Sequence, residues 1–523
     1  MAANDKGKRI LWVDDEIGSL KAHCLFLESK GYRVVTATNG TDAVTLVENE
    51  SFDLVLVDEM MAGLDGLATI EKIKRTRPSL PIVMVTKSEE EQILNTAIGR
   101  GIDNYITKPV SPLQILSAVR QLLDAREIKG QVLSQEFASE FNRIRELMAT
   151  DPTPDTWYEI ASSLAGWDRT SDERTDIGFE QLLFDWHREA NREFAVYVER
   201  NYLDWVHGKG QRPVLSTDLV THYLEPLLKA GEKTAFVVID CMRLDQYRAI
   251  EPLLTEHFEI DPKLYFSILP SATPYSRNAI FSGLWPLELS RQYPELWRGD
   301  QADNQSRNRF ERQLLTRQLL KLGYNYPDEP KYVKILDIAE GENLAKHIDQ
   351  YYNVPLVSIV VNFLDILAHG RSESDIIREI APNESAFRSL MRSWFQHSSL
   401  FEILKSLARQ KFTVLLTTDH GSILGKRGSK VFGKRDTSTN LRYKYWDNLG
   451  CDTRQAILVK DPSAYKLPRY TSGTTFVIAK EDFYFIYPTN FAEYQRAYHN
   501  SFQHGGVSLE EMILPVVTLR GRG

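Results

Sequence analysis

Cysteine is nearly missing: Cys24, Cys241 and Cys451 are the only three in 523 residues. An odd number at such wide spacing fits neither a disulfide framework nor a thiolate zinc site. A reduced, cytoplasmic setting is the expectation. No run approaches the roughly 18 consecutive apolar residues of a membrane span, so no membrane partner is expected. The opening Met1-Ala-Ala-Asn-Asp-Lys-Gly-Lys-Arg9 has no apolar signal-peptide core and leads straight into a strand pattern. Positive charge is not in excess either. The formal net charge of -8 argues against a whole-surface nucleic-acid binder, leaving room for a local basic patch. Internal repeats and long low-complexity tracts are absent.

What remains is ordinary globular composition, 42% apolar and 26% charged. At about 150 residues per domain, the length allows three or four domains. From about Arg9 to Leu123, five short apolar runs (Ile10 to Val13, Val34 to Ala37, Leu54 to Val57, Ile82 to Val85, Tyr105 to Thr107) alternate with amphipathic helical stretches. That alternation predicts a parallel sheet covered by helices on both faces. From about Asp124 to Gly210 the apolar spacing is helical throughout, broken once at Asp151-Pro-Thr-Pro-Asp155. A small helical bundle is expected, with Trp157, Trp167, Trp186 and Trp205 packing inside it or against a neighbour. Beyond Pro213 the αβ pattern returns, with Ala235 to Ile239, Val357 to Val361 and Thr413 to Leu416 as buried parallel strands. The expected segments are residues 1–125, 126–212 and 213–523.

In the first segment, chemistry-bearing residues sit at predicted strand ends: Asp14 and Asp15, Asp58, Thr86, and Lys108 before Pro109. Ligands of open parallel sheets bind outside those carboxyl ends. Converging carboxylates repel unless a cation lies among them, and a hard, oxygen-preferring ion such as magnesium fits. Asp58 could then attack a phosphoryl group, with Lys108 and Thr86 holding the phosphoryl oxygens.

These residues, with Ile10-Leu-Trp-Val-Asp-Asp-Glu16, Asp65-Gly66 and Tyr105-Ile-Thr-Lys-Pro109, resemble the response-regulator receiver family over about residues 8 to 125. The resemblance implies a flavodoxin-like fold of strand order 2-1-3-4-5. It makes Asp58 the phospho-acceptor from a sensor histidine kinase and Thr86 and Tyr105 a switch pair. Asp15, Asp58 and the Met60 carbonyl would hold magnesium, supported by Asp14. It further implies pairing into a homodimer on phosphorylation, through the region of about Glu89 to Leu123. Two positions depart from the family: Ala62 stands where proline is usual, and Lys87 follows Thr86 where a small residue is common.

In the third segment, Asp365-Ile-Leu-Ala-His369 spaces two metal-type ligands at i and i+4, one face of a helix. Asp240 and Asp419-His420-Gly421 each follow a predicted strand, and His504-Gly505-Gly506 forms a turn in which glycine permits close backbone approach. Mixed aspartate and histidine suit zinc or manganese better than calcium. Two groups of three could hold a pair of ions. Ser271-Ala-Thr-Pro-Tyr-Ser-Arg277 offers a nucleophile: Pro274 at the first helical position would put Thr273 at the N-cap, where phosphate is attracted. Arg243 and Arg277 lie nearby and could contact a non-bridging oxygen, Arg243 equally a structural ion pair.

These residues resemble the alkaline phosphatase superfamily, and the surrounding sequence its PglZ branch, over about residues 213 to 520. The resemblance implies an alkaline-phosphatase-like α/β domain with two zinc ions. Asp365, His369 and His504 would hold one, and Asp240, Asp419, His420 and Thr273 would surround the other. Thr273 would attack phosphorus in line and form a covalent intermediate. The whole arrangement resembles the family of PorX-type response regulators of type IX secretion. That implies a phosphodiesterase acting on oligonucleotides, cyclic ones included, with a sensor kinase and an alternative sigma factor as partners.

On substrate the residues say little. Lys426, Arg427, Lys430, Lys434, Arg435, Arg442 and Lys444 stand against the single acid Asp436, interleaved with Phe432, Tyr443, Tyr445 and Trp446. Basic charge tracks phosphates and aromatic faces stack bases, which favours a short single-stranded or cyclic nucleotide, with Lys430, Lys434 and Arg435 as contacts; a mobile solvated loop is the plainer alternative. Two other readings compete with a phosphorylation-controlled hydrolase: a non-enzymatic adaptor that binds protein when phosphorylated, and a DNA-binding transcription factor. The second would need a basic recognition helix, and none is legible.

Overall fold

A computed structural model describes residues 7–87, 101–172, 177–297, 309–325, 330–433, 440–487, 495–496 and 498–522. The chain divides into two compact units, residues 1–142 and 143–523.

The first unit carries a five-stranded sheet of β1 (Arg9–Val13), β2 (Arg33–Ala37), β3 (Leu54–Asp58), β4 (Ile82–Thr86) and β5 (Asn104–Thr107). The order is β2-β1-β3-β4-β5 and every pairing is parallel. β3 and β4 are buried along their whole length, as continuous apolar runs covered on both faces must be. Alternate residues serve opposite cores: Leu11, Val13, Val55 and Val57 pack with Ile70 and Ile73, while Ile10, Trp12, Leu54 and Leu56 pack with Ile115 and Val119. Side-chain caps at Asn39, Asp65 and Ser111 start the helices that follow.

The linker forms three helices, Ala125–Ala149, Pro154–Asp172 and Ile177–Val206. The sequence boundaries fall at residues 125 and 212, whereas compactness divides the chain after Asn142, inside the first of these helices. The reason is a shared aromatic core. Trp157, Trp186 and Trp205 are fully buried. Tyr158, Phe194 and Trp205 set their rings 5.3, 5.7 and 5.6 Å from Phe266, a residue beyond the linker. Such ring pairs contribute about 0.5–1.5 kcal/mol each beyond their burial. Trp167 is only half-buried, beside Phe179.

The second unit is built on a six-stranded sheet. β6 (Thr234–Ile239), β8 (Lys331–Ile335), β9 (Leu356–Val361) and β10 (Thr413–Thr417) run parallel in the order β10-β6-β9-β8. On the far side of β10 lie the antiparallel strand Ile513–Gly521 and then β7 (Phe258–Phe266). β6, β9 and β10 are wholly buried, and their carboxyl ends open together on one edge. Ligand-bearing loops of such sheets emerge there.

Candidate functional site

Each strand end delivers a piece of the site. Asp240 follows β6, Asp419 and His420 follow β10, and the helix Phe363–Glu373 after β9 presents Asp365 and His369 one turn apart. His504 arrives in the turn after the short strand Ser501–Gln503. Gly505 holds that turn at φ 115°, where a Cβ would drive into the Tyr443 ring. Two groups result, Asp365/His369/His504 and Asp240/Asp419/His420, each with its ligand atoms within 4.8 Å of one another.

The spacings suit a metal ion. Asp365 Oδ1 lies 3.4 Å from His369 Nε2 and 3.6 Å from His504 Nε2, and the two imidazole nitrogens are 3.3 Å apart. His420 Nε2 is 3.6 Å from both Asp240 Oδ1 and Asp419 Oδ2. Zinc bonds of about 2.0–2.1 Å in a tetrahedron separate ligand atoms by about 3.4 Å. Asp240 Oδ1 and Asp365 Oδ1 are buried without a hydrogen-bond partner, an arrangement that is costly unless a cation meets them. The two groups adjoin, since the His420 and His504 rings stack with centroids 4.3 Å apart. One is closed and one open: Asp240, Asp419 and His420 are buried, while His369 is half exposed.

Thr273 stands at this junction, its Oγ1 2.8 Å from His420 Nε2. It is the first residue of the helix Thr273–Ser282, with Ala272 at the N-cap and Pro274 second. The N-cap expected for Thr273 is therefore displaced by one residue. The hydroxyl makes no cap bond and turns towards the histidine instead.

One turn along the same helix, Arg277 is completely buried and pairs with Asp240, with Asp419 at 3.0 Å and with Glu311 at 3.4 Å. Burying a guanidinium costs several kcal/mol, and three carboxylates offset that. Burial and the neighbouring Asp419 and Asp365 push the Asp240 carboxyl well up despite Arg277, the crowding that a dication relieves. Burial and His420 push His504 well down, favouring the neutral imidazole that binds metal.

Both arginines are buried in ion pairs. Arg243 is buried in a two-pronged pair with Asp245 at 2.8 and 2.7 Å and reaches Glu384 at 2.6 Å. For Arg243 this is the structural ion pair given above as the alternative to a substrate contact, and Arg277 is held by internal ion pairs too. Part of the basic segment is not a surface strip among the described residues. Arg442 is fully buried on Glu511, Lys444 is buried, Arg427 pairs with Glu481 and Asp482, and Lys426 sits over the Phe184 ring. Tyr443 and Tyr445 are buried too. Lys430 and Phe432 are exposed, and Lys434 and Arg435 lie outside the described residues.

In the first unit, Asp14, Asp15 and Asp58 converge within 4.8 Å, Asp15 being the exposed member. Lys108 Nζ bridges Asp14 at 3.1 Å and Asp58 at 2.9 Å. Burial, then Asp14 and Asp15, push the Asp58 carboxyl up against the pull of Lys108. An oxygen-bound dication fits this donor set. The Thr86 hydroxyl donates to Glu59, and Tyr105 and Met60 are exposed. Part of the expected pairing face, residues 88–100, lies outside the described residues.

Sequence reasoning missed Glu510 and Glu511. Ser508-Leu-Glu-Glu511 is a capping-box pattern that could have flagged the short helix Leu509–Met512. Glu510 meets His187 Nδ1 at 3.1 Å, and His187 Nε2 meets Asp168 at 3.1 Å. Burial pulls His187 down, but the two carboxylates outweigh it and hold its protonation well above the ordinary 6.5. Burial pushes Glu510 up, and His187 outweighs that and brings it to about 2. The raised His187 stabilises the fold fully below about pH 6.5 and loses that as pH rises through its folded value. The depressed Glu510 contributes above about pH 4.5 and is lost as pH falls towards 2. The melting temperature of the metal-free protein is therefore expected to peak near pH 4.5–6.5 from this pair. His187→Ala should flatten the alkaline decline, and an unchanged profile would remove the pair from the account.

Comparison with known proteins places three families along the chain. Residues 219–519, more than half of it, match the BREX system PglZ alkaline phosphatase-like domain. Residues 10–120 match the response regulator receiver domain and residues 127–206 the PorX response regulator linker domain. A curated relative from Bacillus subtilis (strain 168), the alkaline phosphatase synthesis transcriptional regulatory protein PhoP, is 36% identical over 121 residues, 23% of this chain and 50% of its own. The regulatory protein VanRc of Enterococcus gallinarum is 32% identical over 116 residues, 22% of this chain and 50% of its own. The chain thus spans about half the length of these relatives. Among solved structures, a CheY-like receiver domain protein from Methanospirillum hungatei JF-1 is 33% identical, covering 24% of this chain and 99% of its own with a TM-score of 0.23.

Proposed function

Because the chain belongs to the PglZ alkaline-phosphatase-like family and carries the receiver and linker of a PorX-type response regulator, we propose that it is a response regulator whose output is metal-dependent phosphodiester hydrolysis. Its proposed substrates are oligonucleotides, cyclic ones included, and its proposed setting is control of type IX secretion. A sensor histidine kinase would phosphorylate Asp58, and phosphorylation would pair two copies of the chain. The observation that carries the hydrolase reading is the Thr273 hydroxyl 2.8 Å from His420 Nε2, where two ligand groups adjoin.

Two zinc ions held by Asp240, Asp419, His420 and by Asp365, His369, His504 would supply Lewis acidity and lower the pKa of an adjacent hydroxyl. Thr273 Oγ loses its proton to solvent and bonds to phosphorus as one ester oxygen departs and takes up a proton, giving a free alcohol and a threonine-linked phosphodiester. Thr273 Oγ1, 2.8 Å from the His420 nitrogen that would bind metal, would lie beside the same ion. Water then attacks phosphorus and breaks its bond to Thr273 Oγ, which takes up a proton, and the remaining half of the substrate leaves as a phosphate monoester. Arg277 keeps Asp240 and Asp419 in place behind the reacting groups. The exposed edge at His369 leaves an approach for an extended substrate. Chelation followed by re-addition of zinc or manganese tests the reading: turnover of a nitrophenyl diester should disappear and return. Turnover unaffected by complete metal removal would sink it.

A further inference from the structure

The short helix Leu509–Met512 ties together two turns that carry ligands. The N–H of Gly421, next to His420, donates to the Glu511 carbonyl at 3.2 Å. A Cβ on Gly421 would come within 1.9 Å of the Glu510 carbonyl oxygen, so the two backbones are in contact. The N–H of Gly506, two residues past His504, donates to Glu511 Oε1 at 2.8 Å. Glu511 is fully buried and is itself clamped by Arg442 at 3.0 and 2.6 Å and by Ser508 at 2.8 Å. Glu511 thus holds the His420 turn and the His504 turn at once.

One peptide earlier, Glu510 engages the linker. Its carboxylate receives Asn191 Nδ2 at 3.0 and 3.2 Å and meets His187 Nδ1 at 3.1 Å, both from the helix Ile177–Val206. Asn191 Oδ1 in turn accepts the Leu509 N–H at 2.7 Å. The Asp240 loop has its own tether: Arg243 pairs with Asp245, Asp245 with Arg388 at 3.0 Å, and Arg388 with Asp172 at 2.6 Å on the helix Pro154–Asp172. A buried ion-paired carboxylate is weak evidence of stability, since an apolar residue of similar volume often does as well. Its directional contacts, however, fix the backbone beside both ligand turns. Outer contacts of this kind orient ligands and tune metal sites.

We propose that Glu510 is a positioning residue through which the linker helix Ile177–Val206 sets the spacing of His420 and His504. The inference rests on reading the two ligand groups as a metal centre. It gives the linker a task that its tryptophan-rich sequence does not announce: the metal centre is completed by the helices that precede it. A shift of that helix passes through Asn191 and Glu510 to Glu511, and from there to both turns.

The test uses the full chain loaded with cobalt(II), whose visible spectrum reports ligand geometry. Glu510→Ala should weaken metal binding roughly tenfold in chelator competition and alter the cobalt bands. Glu510→Gln should restore most of both, because its amide oxygen still accepts from Asn191 and His187. A generally destabilising role would lower the melting temperature of both variants while leaving the folded protein's cobalt spectrum as in wild type. A folded Glu510→Ala with wild-type spectrum and competition overturns the proposal. Should Glu510→Ala not fold, Asn191→Ala is read by the same spectrum against the same criterion. Wild type that binds cobalt but cleaves no diester ends the hydrolase reading alone, and wild type that binds no cobalt ends both.

Discussion

Thr273→Ala is expected to cut metal-dependent diester cleavage by on the order of 10³-fold or more, about 4 kcal/mol of barrier, while leaving metal content unchanged. The magnitude follows from what is removed. Thr273 Oγ1 is the hydroxyl that lies 2.8 Å from His420 Nε2. Water could enter the space left, but as an unanchored nucleophile it forfeits the positioning that the helix supplies. Thr273→Ser keeps the oxygen and should retain most of the rate. Metal analysis and a steady-state assay on the same preparations check this. A Thr273→Ala protein with full metal and near-wild-type kcat would remove Thr273 as nucleophile.

Asp58→Ala is expected to abolish labelling by a small phospho-donor such as acetyl phosphate. Asp14 and Asp15 lie within 4.8 Å of Asp58, and Lys108 bridges Asp14 and Asp58, so the mutant tests whether Asp58 alone is the proposed acceptor. Sedimentation should show a heavier species of wild type with beryllofluoride and magnesium, and none for Asp58→Ala. Undiminished labelling of the mutant would overturn the acceptor assignment. Identical mass with and without beryllofluoride at every concentration would overturn phosphorylation-driven pairing.

Much of this architecture is legible in the chain because the informative signals are local. Apolar runs such as Leu54 to Val57 and Val357 to Val361 read as buried parallel strands, and they are. Their carboxyl ends then locate Asp58, Asp240 and Asp419 without any long-range information. The i, i+4 pair Asp365 and His369 is equally local. What stayed hidden is set by distant pairing. Arg442 and Lys444 belong to a run of basic residues that reads as a solvated strip. Glu511, 69 positions away from Arg442, buries it. Glu311 and Glu384 pair with Arg277 and Arg243 from 34 and 141 positions away. The linker's part in the site depends on a contact between His187 and Glu510 across 323 positions, for which no periodicity or spacing can speak. Thr273 shows the smallest kind of miss, one residue at a helix start, where boundaries are least determined. That one residue moves its hydroxyl from capping a helix to facing a histidine.

Phosphodiester cleavage at the two proposed metal groups is open to direct measurement. The most direct measurement is the rate at which zinc- or manganese-loaded, beryllofluoride-treated full chain hydrolyses linear oligonucleotides, cyclic dinucleotides, larger cyclic oligonucleotides and a phosphate monoester, side by side. The account predicts metal-dependent cleavage of the oligonucleotide diesters well above the monoester. No cleavage of any diester by protein with both metal groups filled would contradict it and leave an adaptor that acts by binding protein.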